Sequence, residues 1–156
     1  MTTTHYYDIY LEAKVHSASP LQLVCMAYDC AIEVTGEARE HLRQRRIHER
    51  ARAITQVMKI LNELKEALDY ARGGDMSLQL ARLYAYMQDR LREANFRQIE
   101  EPLIEVQDLL GTLAEAWKQI AATEPVPAAP PVTDAEPQVW MQPVEEASYV
   151  GRAYSF

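Results

Sequence analysis

The sequence contains little glycine, little cysteine and no long hydrophobic run. Five glycines occur in 156 residues, and long stretches lack both glycine and proline. Because strand-rich folds need frequent turns, this scarcity favours helices. No segment reaches the ~18 consecutive apolar residues that a membrane helix needs, and residues 1–8 lack the basic start and apolar run of a signal peptide. We therefore expect a cytoplasmic protein that inserts no segment into a membrane.

Residues that carry enzyme and metal chemistry are scarce or badly spaced. Cys25 and Cys30 lie on one predicted helix and face different directions, so we interpret them as reduced packing residues. His41 and His48 have no glutamate three residues before them, as a di-iron bundle would require. No glycine-rich phosphate loop or nucleophile motif occurs. We expect no catalytic, metal-binding or cofactor-binding residue, and hence no enzyme.

The formal charge of −7 is spread unevenly along the chain. Residues 1–122 carry a net charge of −3 and residues 123–156 carry −4. The nearly neutral main body therefore has no overall basic field to attract nucleic acid. One basic cluster consists of Arg43, Arg45, Arg46, Arg50 and Arg52. We interpret it as a solvated turn between two helices rather than as a nucleic-acid site.

Apolar residues recur at helical spacing in four segments. The first begins at Ser19-Pro20, where Ser19 and Gln22 form a predicted capping box, and ends near residues 43–46. The second has an apolar stripe from Ile47 to Ala71, and we predict that Gly73-Gly74 stops it.

The third segment begins at Asp75 or Ser77, with Asn95 as a predicted left-handed stop, and the fourth covers roughly residues 99–122. We predict an all-α, antiparallel up-down four-helix bundle over residues 19–122. Residues 1–18 precede it as an extended strip. Residues 123–156 follow as a disordered, proline-rich tail with an aromatic terminus.

The sequence has more apolar surface than a bundle core requires. The strip has an apolar face, and further apolar side chains lie beside the helical stripes. Surplus helical apolar surface usually indicates a partner segment, although a wide core stripe explains any single residue equally well. The candidate partner-binding or lid residues are Tyr6, Ile9, Leu11, Val15, Met26, Tyr86, Ile104 and Leu109.

Short motifs follow one another in a specific order along the chain. The first stretch, residues 6–32, reads YYDIYLEAKVHSASPLQLVCMAYDCAI. It contains a tyrosine-led strip, an Ala-Ser-Pro helix start and a Met-x-Tyr-Asp-x-Ala-Ile run. Later motifs are Leu68-Asp69, Gly73-Gly74, Leu83-Tyr84-x-Tyr86-Met87, Leu91, Ala94-Asn95, Val106, Leu109-Leu110 and Ala116-Trp117-Lys118. Over residues 6–122 the chain resembles the flagellin export chaperone (FliS) family.

This resemblance implies a four-helix bundle that binds the disordered C-terminal segment of flagellin and works with the export gate of the flagellar secretion apparatus. It also implies that the N-terminal strip can occupy part of the flagellin surface when flagellin is absent. The sequence departs from the family pattern at Cys30, which replaces a glycine, at Ala85, which replaces an aspartate, and at Ile99, where an aspartate often caps the last helix. The long proline-rich tail has no counterpart in short family members.

Two functional hypotheses follow. The first is an export chaperone that prevents premature polymerisation of flagellin before export and forms at most a weak homodimer. The alternative is a client-free oligomeric structural or scaffolding bundle, which would use the same apolar stripes to associate with itself.

Overall fold

A computed structural model describes residues 18–123, and this part of the chain contains four α-helices and no strand. The helices are α1 (Pro20–Arg43), α2 (Ile47–Glu66), α3 (Tyr70–Arg97) and α4 (Glu101–Thr123). The predicted all-α four-helix bundle is confirmed. Residues 1–17 and 124–156 lie outside the described part, so the expectations for the strip and the tail stay predictions.

The helices are arranged as an up-and-down bundle. Each helix packs against its neighbours in sequence, and α4 returns to pack against α1. Ion pairs show that α1 and α4 are antiparallel, because Asp29 pairs with Lys118 near the end of α4, whereas Arg39 pairs with Glu100 just before its start. We call the end where α1 begins and α4 ends the terminal end. The opposite end, with the α1–α2 and α3–α4 turns, is the double-turn end.

The core is built from one stripe of each helix. Its interior combines small side chains, mostly alanine and valine, with larger leucine, methionine and tyrosine side chains. The buried apolar residues are Tyr28, Ala31, Val34, Ala38, Ala53, Ile54, Val57, Leu61, Leu64, Tyr84, Met87, Leu91, Ala94, Leu103, Val106, Leu110 and Ala114. The predicted stripes supply most of this set. The pattern was wrong at Ile47 and Ala71, which are both exposed.

The start of α1 is capped as the sequence predicts. The Gln22 amide donates to the Ser19 hydroxyl oxygen at 3.2 Å, and the Ser19 amide donates to Gln22 Oε1 at 2.9 Å. With Pro20 in the first turn, this capping box fixes the helix start without help from preceding residues.

The prediction for the α2–α3 connection was wrong in its boundaries. The second helix ends at Glu66, and α3 already begins at Tyr70 because Asp69 caps it through bonds of 3.0 and 2.9 Å from the amides of Ala71 and Arg72. The predicted break at Gly73-Gly74 is present, but it falls inside α3: Gly74 is non-helical, with φ 48° and ψ −125°, and forms a kink between a short first segment and the rest of the helix.

Asn95 is not the left-handed stop of α3. The helix continues to Arg97, and Gln98 takes the left-handed conformation with φ 56°. Asn95 instead accepts hydrogen bonds from Arg50 of α2, on its side-chain oxygen at 3.2 Å and on its carbonyl oxygen at 3.4 Å. None of the described helices is both long and apolar enough to cross a membrane.

Candidate partner-binding surface

Exposed apolar side chains are concentrated toward the terminal end of the bundle. Nine large hydrophobic residues are exposed among those described, and five of them fall near this end. These five are Leu23, Tyr70, Met76, Leu78 and Ile120. Ile120, in the last turn of α4, is 49% exposed. Apolar side chains that are exposed as a group, rather than singly, mark a candidate partner-binding surface.

Met26 lies in a groove between α1 and α4 at the terminal end. The groove is also lined by Gln22, Cys25, Lys118 and Ala121. Met26 is half-buried, and the Lys118 ammonium pairs with Asp29 at 2.6 Å across the same two helices. The groove therefore has an apolar surface beside one exposed ion pair.

Two other predicted residues, Ile104 and Leu109, share one side of α4, and a third, Tyr86, reaches that side from α3 through Glu105. Ile104 and Leu109 line the outer face of α4 on either side of Glu105. Tyr86 of α3 is 45% exposed, and its hydroxyl donates to the Glu105 carboxylate. Leu109 is partly buried against the core, so its apolar side chain contributes to core packing as well as to this surface. We call Tyr86, Ile104 and Leu109 the α3–α4 surface.

Charged side chains hold this surface in shape. Arg90 Nε donates to Glu105 at 2.6 Å, and Arg90 also pairs with Glu93, which accepts from Arg97 at 2.8 Å. The hydrogen bond from Tyr86 and the Arg90 guanidinium lower the pKa of Glu105. The same hydrogen bond raises the pKa of Tyr86, because it stabilises the protonated hydroxyl.

The opposite side of α4 is fixed to α1 through Glu100. Arg39 Nε donates to Glu100 at 2.9 Å, Arg43 binds the same carboxylate, and a second Arg39 nitrogen donates to Gln107 at 2.7 Å. Hydrogen bonding from Arg43, followed by that from Arg39, lowers the pKa of Glu100. The first half of α4 is thus held by ionic contacts from α1 and from α3.

The sequence did not identify the residues at the double-turn end. Phe96 is 89% exposed, yet it was not among the candidates. The sequence contains a signal for this exposure, because Phe96 does not continue the three- or four-residue spacing of the apolar residues Leu91 and Ala94. Arg50 was assigned to a solvated basic cluster, whereas it is only 3% exposed. Arg50 is buried because it donates a hydrogen bond to Asn95 of α3. A pattern along one segment does not show such a contact with another helix, and the exposure of Arg50 was therefore predicted wrongly.

The described part of the chain assembles no metal cluster, since residues 18–123 bring no three His, Cys, Asp or Glu side chains together in ligating positions. Both cysteines are free thiols, but Cys30 is exposed, which corrects its interpretation as a packing residue. Partial burial raises the pKa of the Cys30 thiol, and the nearby Glu33 and Glu37 add to that shift.

The described residues define an all-α protein of the up-and-down four-helix-bundle class, with apolar grooves at its surface. The family model for the flagellar protein FliS matches residues 2–124. The flagellar secretion chaperone FliS of Salmonella typhimurium is 39% identical over 117 residues, which cover 74% of this chain and 87% of that protein. The flagellar secretion chaperone FliSB of Pseudomonas aeruginosa is 34% identical over 74% of this chain and 92% of its own length. The chain belongs to the FliS family of flagellar secretion chaperones.

Proposed function

We propose that this protein is a cytoplasmic export chaperone that binds the disordered C-terminal segment of flagellin and keeps it from polymerising before export. Membership of the FliS family carries this proposal. Binding would cover the apolar faces through which flagellin's terminal helices pair. The protein would carry out no chemical reaction, in keeping with the secretion-chaperone names of its relatives.

The distribution of exposed apolar residues supports a long, apolar client. A disordered segment loses about 2–5 kcal/mol of binding free energy to ordering when it folds on a partner. It therefore needs a long surface, and the α3–α4 surface and the Met26 groove lie along two sides of α4. A segment with several amphipathic pieces could contact both.

We further propose that residues 6–15 act as a lid on part of this surface. Tyr6, Ile9, Leu11 and Val15 would supply its apolar contacts. The complete capping box at Ser19 supports the proposal, because the chain before it can detach without unwinding α1. After flagellin is bound, the complex would meet a component of the flagellar export gate.

Co-purification with flagellin is the decisive experiment. Full-length flagellin should be retained by this protein, and flagellin without its C-terminal segment should not. Failure to retain full-length flagellin at micromolar concentration would contradict the proposal.

Light scattering separates the proposal from a client-free scaffold. A chaperone should be a monomer or weak dimer that becomes a one-to-one complex when flagellin is added. A stable oligomer whose mass does not change with flagellin would favour the scaffold.

A further inference from the structure

The double-turn end presents two exposed apolar side chains from different helices. Phe96 at the end of α3 is 89% exposed, and Ile47 at the start of α2 is 54% exposed. The hydrogen bonds from Arg50 to Asn95 join these two helix ends. Asn95 precedes Phe96, and Ile47 lies three residues before Arg50, so each apolar residue is close in sequence to one partner of this contact.

In the described part of the chain, arginines without ion-pair partners lie in the turn before α2 and in the first two turns of that helix. Residues 44–52 contain four arginines and one acid, Glu49. Within residues 18–123, Arg45, Arg46 and Arg52 form no ion pair. Arg50 is buried, and its hydrogen bonds in the described structure go to the neutral Asn95. A buried guanidinium beside three exposed ones gives this end a positive potential on a chain whose net charge is −7.

The backbone provides an independent observation at the same place. Arg45 has φ 57°, the left-handed conformation that usually belongs to glycine. Its amide donates to the Leu42 carbonyl at 3.1 Å, and the Arg46 amide donates to the His41 carbonyl at 2.9 Å, which is the Schellman pattern of a helix end. An arginine thus occupies the position where glycine is least strained. Gln98, which follows α3 at the same end of the bundle, has the same conformation with φ 56°, so a left-handed residue closes each of these two helices.

We propose that the double-turn end is a docking site for an acidic segment of a partner protein that carries an aromatic or large aliphatic side chain among its carboxylates. Arg45, Arg46 and Arg52 would bind the carboxylates, and Phe96 with Ile47 would receive the apolar side chain. The site shares no residue with the α3–α4 surface or the Met26 groove, although Ile104 lies in the first turn of α4, close to the same end of the bundle. Nucleic acid fits this site less well than an acidic peptide does. Phosphate groups make no apolar contact with the exposed Phe96 and Ile47, and the chain as a whole is acidic.

Fluorescence anisotropy tests this proposal on the full-length protein. The probe is a fluorescein-labelled, glutamate-rich peptide with one central tryptophan. We expect binding that weakens as salt is added. Arg45→Gly should weaken it about two- to fivefold, as expected for one exposed charge, and should raise the melting temperature because glycine relieves the left-handed backbone. Phe96→Ala should weaken binding about fivefold or more.

Three control variants are matched to these changes. Gln98→Gly relieves the other left-handed residue of this end, φ 56°, without removing a charge. Arg82→Gln removes an exposed charge from another part of α3, and Met76→Ala removes an exposed apolar side chain near the terminal end. Each control variant should bind the peptide with an affinity within about twofold of the parent protein. A twofold change in affinity corresponds to less free energy than one exposed ion pair typically contributes. Flagellin binding should be unchanged in Arg45→Gly and Phe96→Ala, which makes this test independent of the chaperone proposal.

Four results would overturn the proposal. The first is peptide binding that is absent or indifferent to salt, and the second is an equal loss of affinity in Arg82→Gln and Arg45→Gly. The third is tighter binding of duplex DNA or of anionic lipid vesicles than of the peptide. The fourth is a concentration-dependent dimer that Phe96→Ala abolishes, since the surface would then serve a second copy of this chain.

Discussion

The hydroxyl groups of Tyr28 and Tyr84 meet in a hydrogen bond in the middle of the bundle, joining α1 to α3 across the core. Trp117 of α4 adds a third helix, because its indole Nε1 donates to the Tyr28 oxygen at 3.1 Å. Burial raises the pKa of both tyrosines, so the hydroxyls stay protonated and can act as donors. Tyr28 is the shared partner of the other two groups.

This asymmetry predicts unequal effects of two similar substitutions. Tyr28→Phe leaves the Tyr84 hydroxyl and the Trp117 indole without their partner, and should lower the free energy of unfolding by about 1–3 kcal/mol. Tyr84→Phe leaves the Trp117–Tyr28 bond in place and should cost about 0.5–1.5 kcal/mol. Urea unfolding measures both. Equal losses would mean that the indole bond contributes nothing.

Glu100 should make stability depend on pH in the acid range. Its pKa is lowered in the folded state, so its stabilisation is complete above the ordinary glutamate value of about 4.3 and is lost as the pH falls through the folded value. Glu100→Gln should cost about 0.5–1 kcal/mol at neutral pH, because the pairs with Arg39 and Arg43 are partly screened by solvent.

The difference between the parent protein and Glu100→Gln should disappear in acid, as chemical denaturation at several pH values would show. Glu101→Gln is the matched control, because Glu101 is exposed and forms no ion pair among the described residues. A difference that persists unchanged at low pH would mean that the effect is not ionic.

Two glycines should respond to alanine with opposite signs. Gly74 has φ 48° and ψ −125°, which alanine adopts only with strain, so Gly74→Ala should destabilise the protein by roughly 1–3 kcal/mol. Gly111 lies within α4, and a Cβ added there meets no atom. Gly111→Ala should therefore stabilise by about 0.5–1 kcal/mol through helix propensity. Thermal melts compare the two; a shift of the same sign in both variants would refute the assignment of Gly74 as a strained position.

The sequence predicted local features better than features that depend on two helices. The capping box at Ser19 involves residues three apart, and the core stripes follow from helical periodicity, so both could be read directly. Asn95 and Arg50 were misjudged because each is committed to the other across 45 residues. The grouping of Tyr86 with Ile104 and Leu109 around Glu105 likewise depends on the register of α3 against α4. That register is fixed by tertiary packing, which no single segment encodes.

The proposed lid predicts a gain of affinity from loss of apolar contacts. Substituting Ile9→Ser together with Leu11→Ser should raise flagellin affinity if residues 6–15 only compete with flagellin. The apparent affinity of a site is proportional to the fraction of time for which the site is uncovered, and the two serines should increase that fraction. The same variant should be cleaved faster within residues 6–15 by a protease when flagellin is absent. Weaker flagellin binding would instead make the strip a direct contact, and unchanged binding would give it neither role.

Calorimetric titration of this protein with the C-terminal segment of flagellin tests the central claim most directly. We expect one-to-one binding at micromolar concentration or below. Ile104→Ser on the α3–α4 surface should weaken flagellin binding about tenfold. A loss of this size is typical when a residue that contributes strongly to an interface loses its apolar side chain. Ile47→Ser is the control, because Ile47 is also exposed but belongs neither to the α3–α4 surface nor to the Met26 groove. No binding of the flagellin segment, or an equal loss in both variants, would contradict the proposed function or its site.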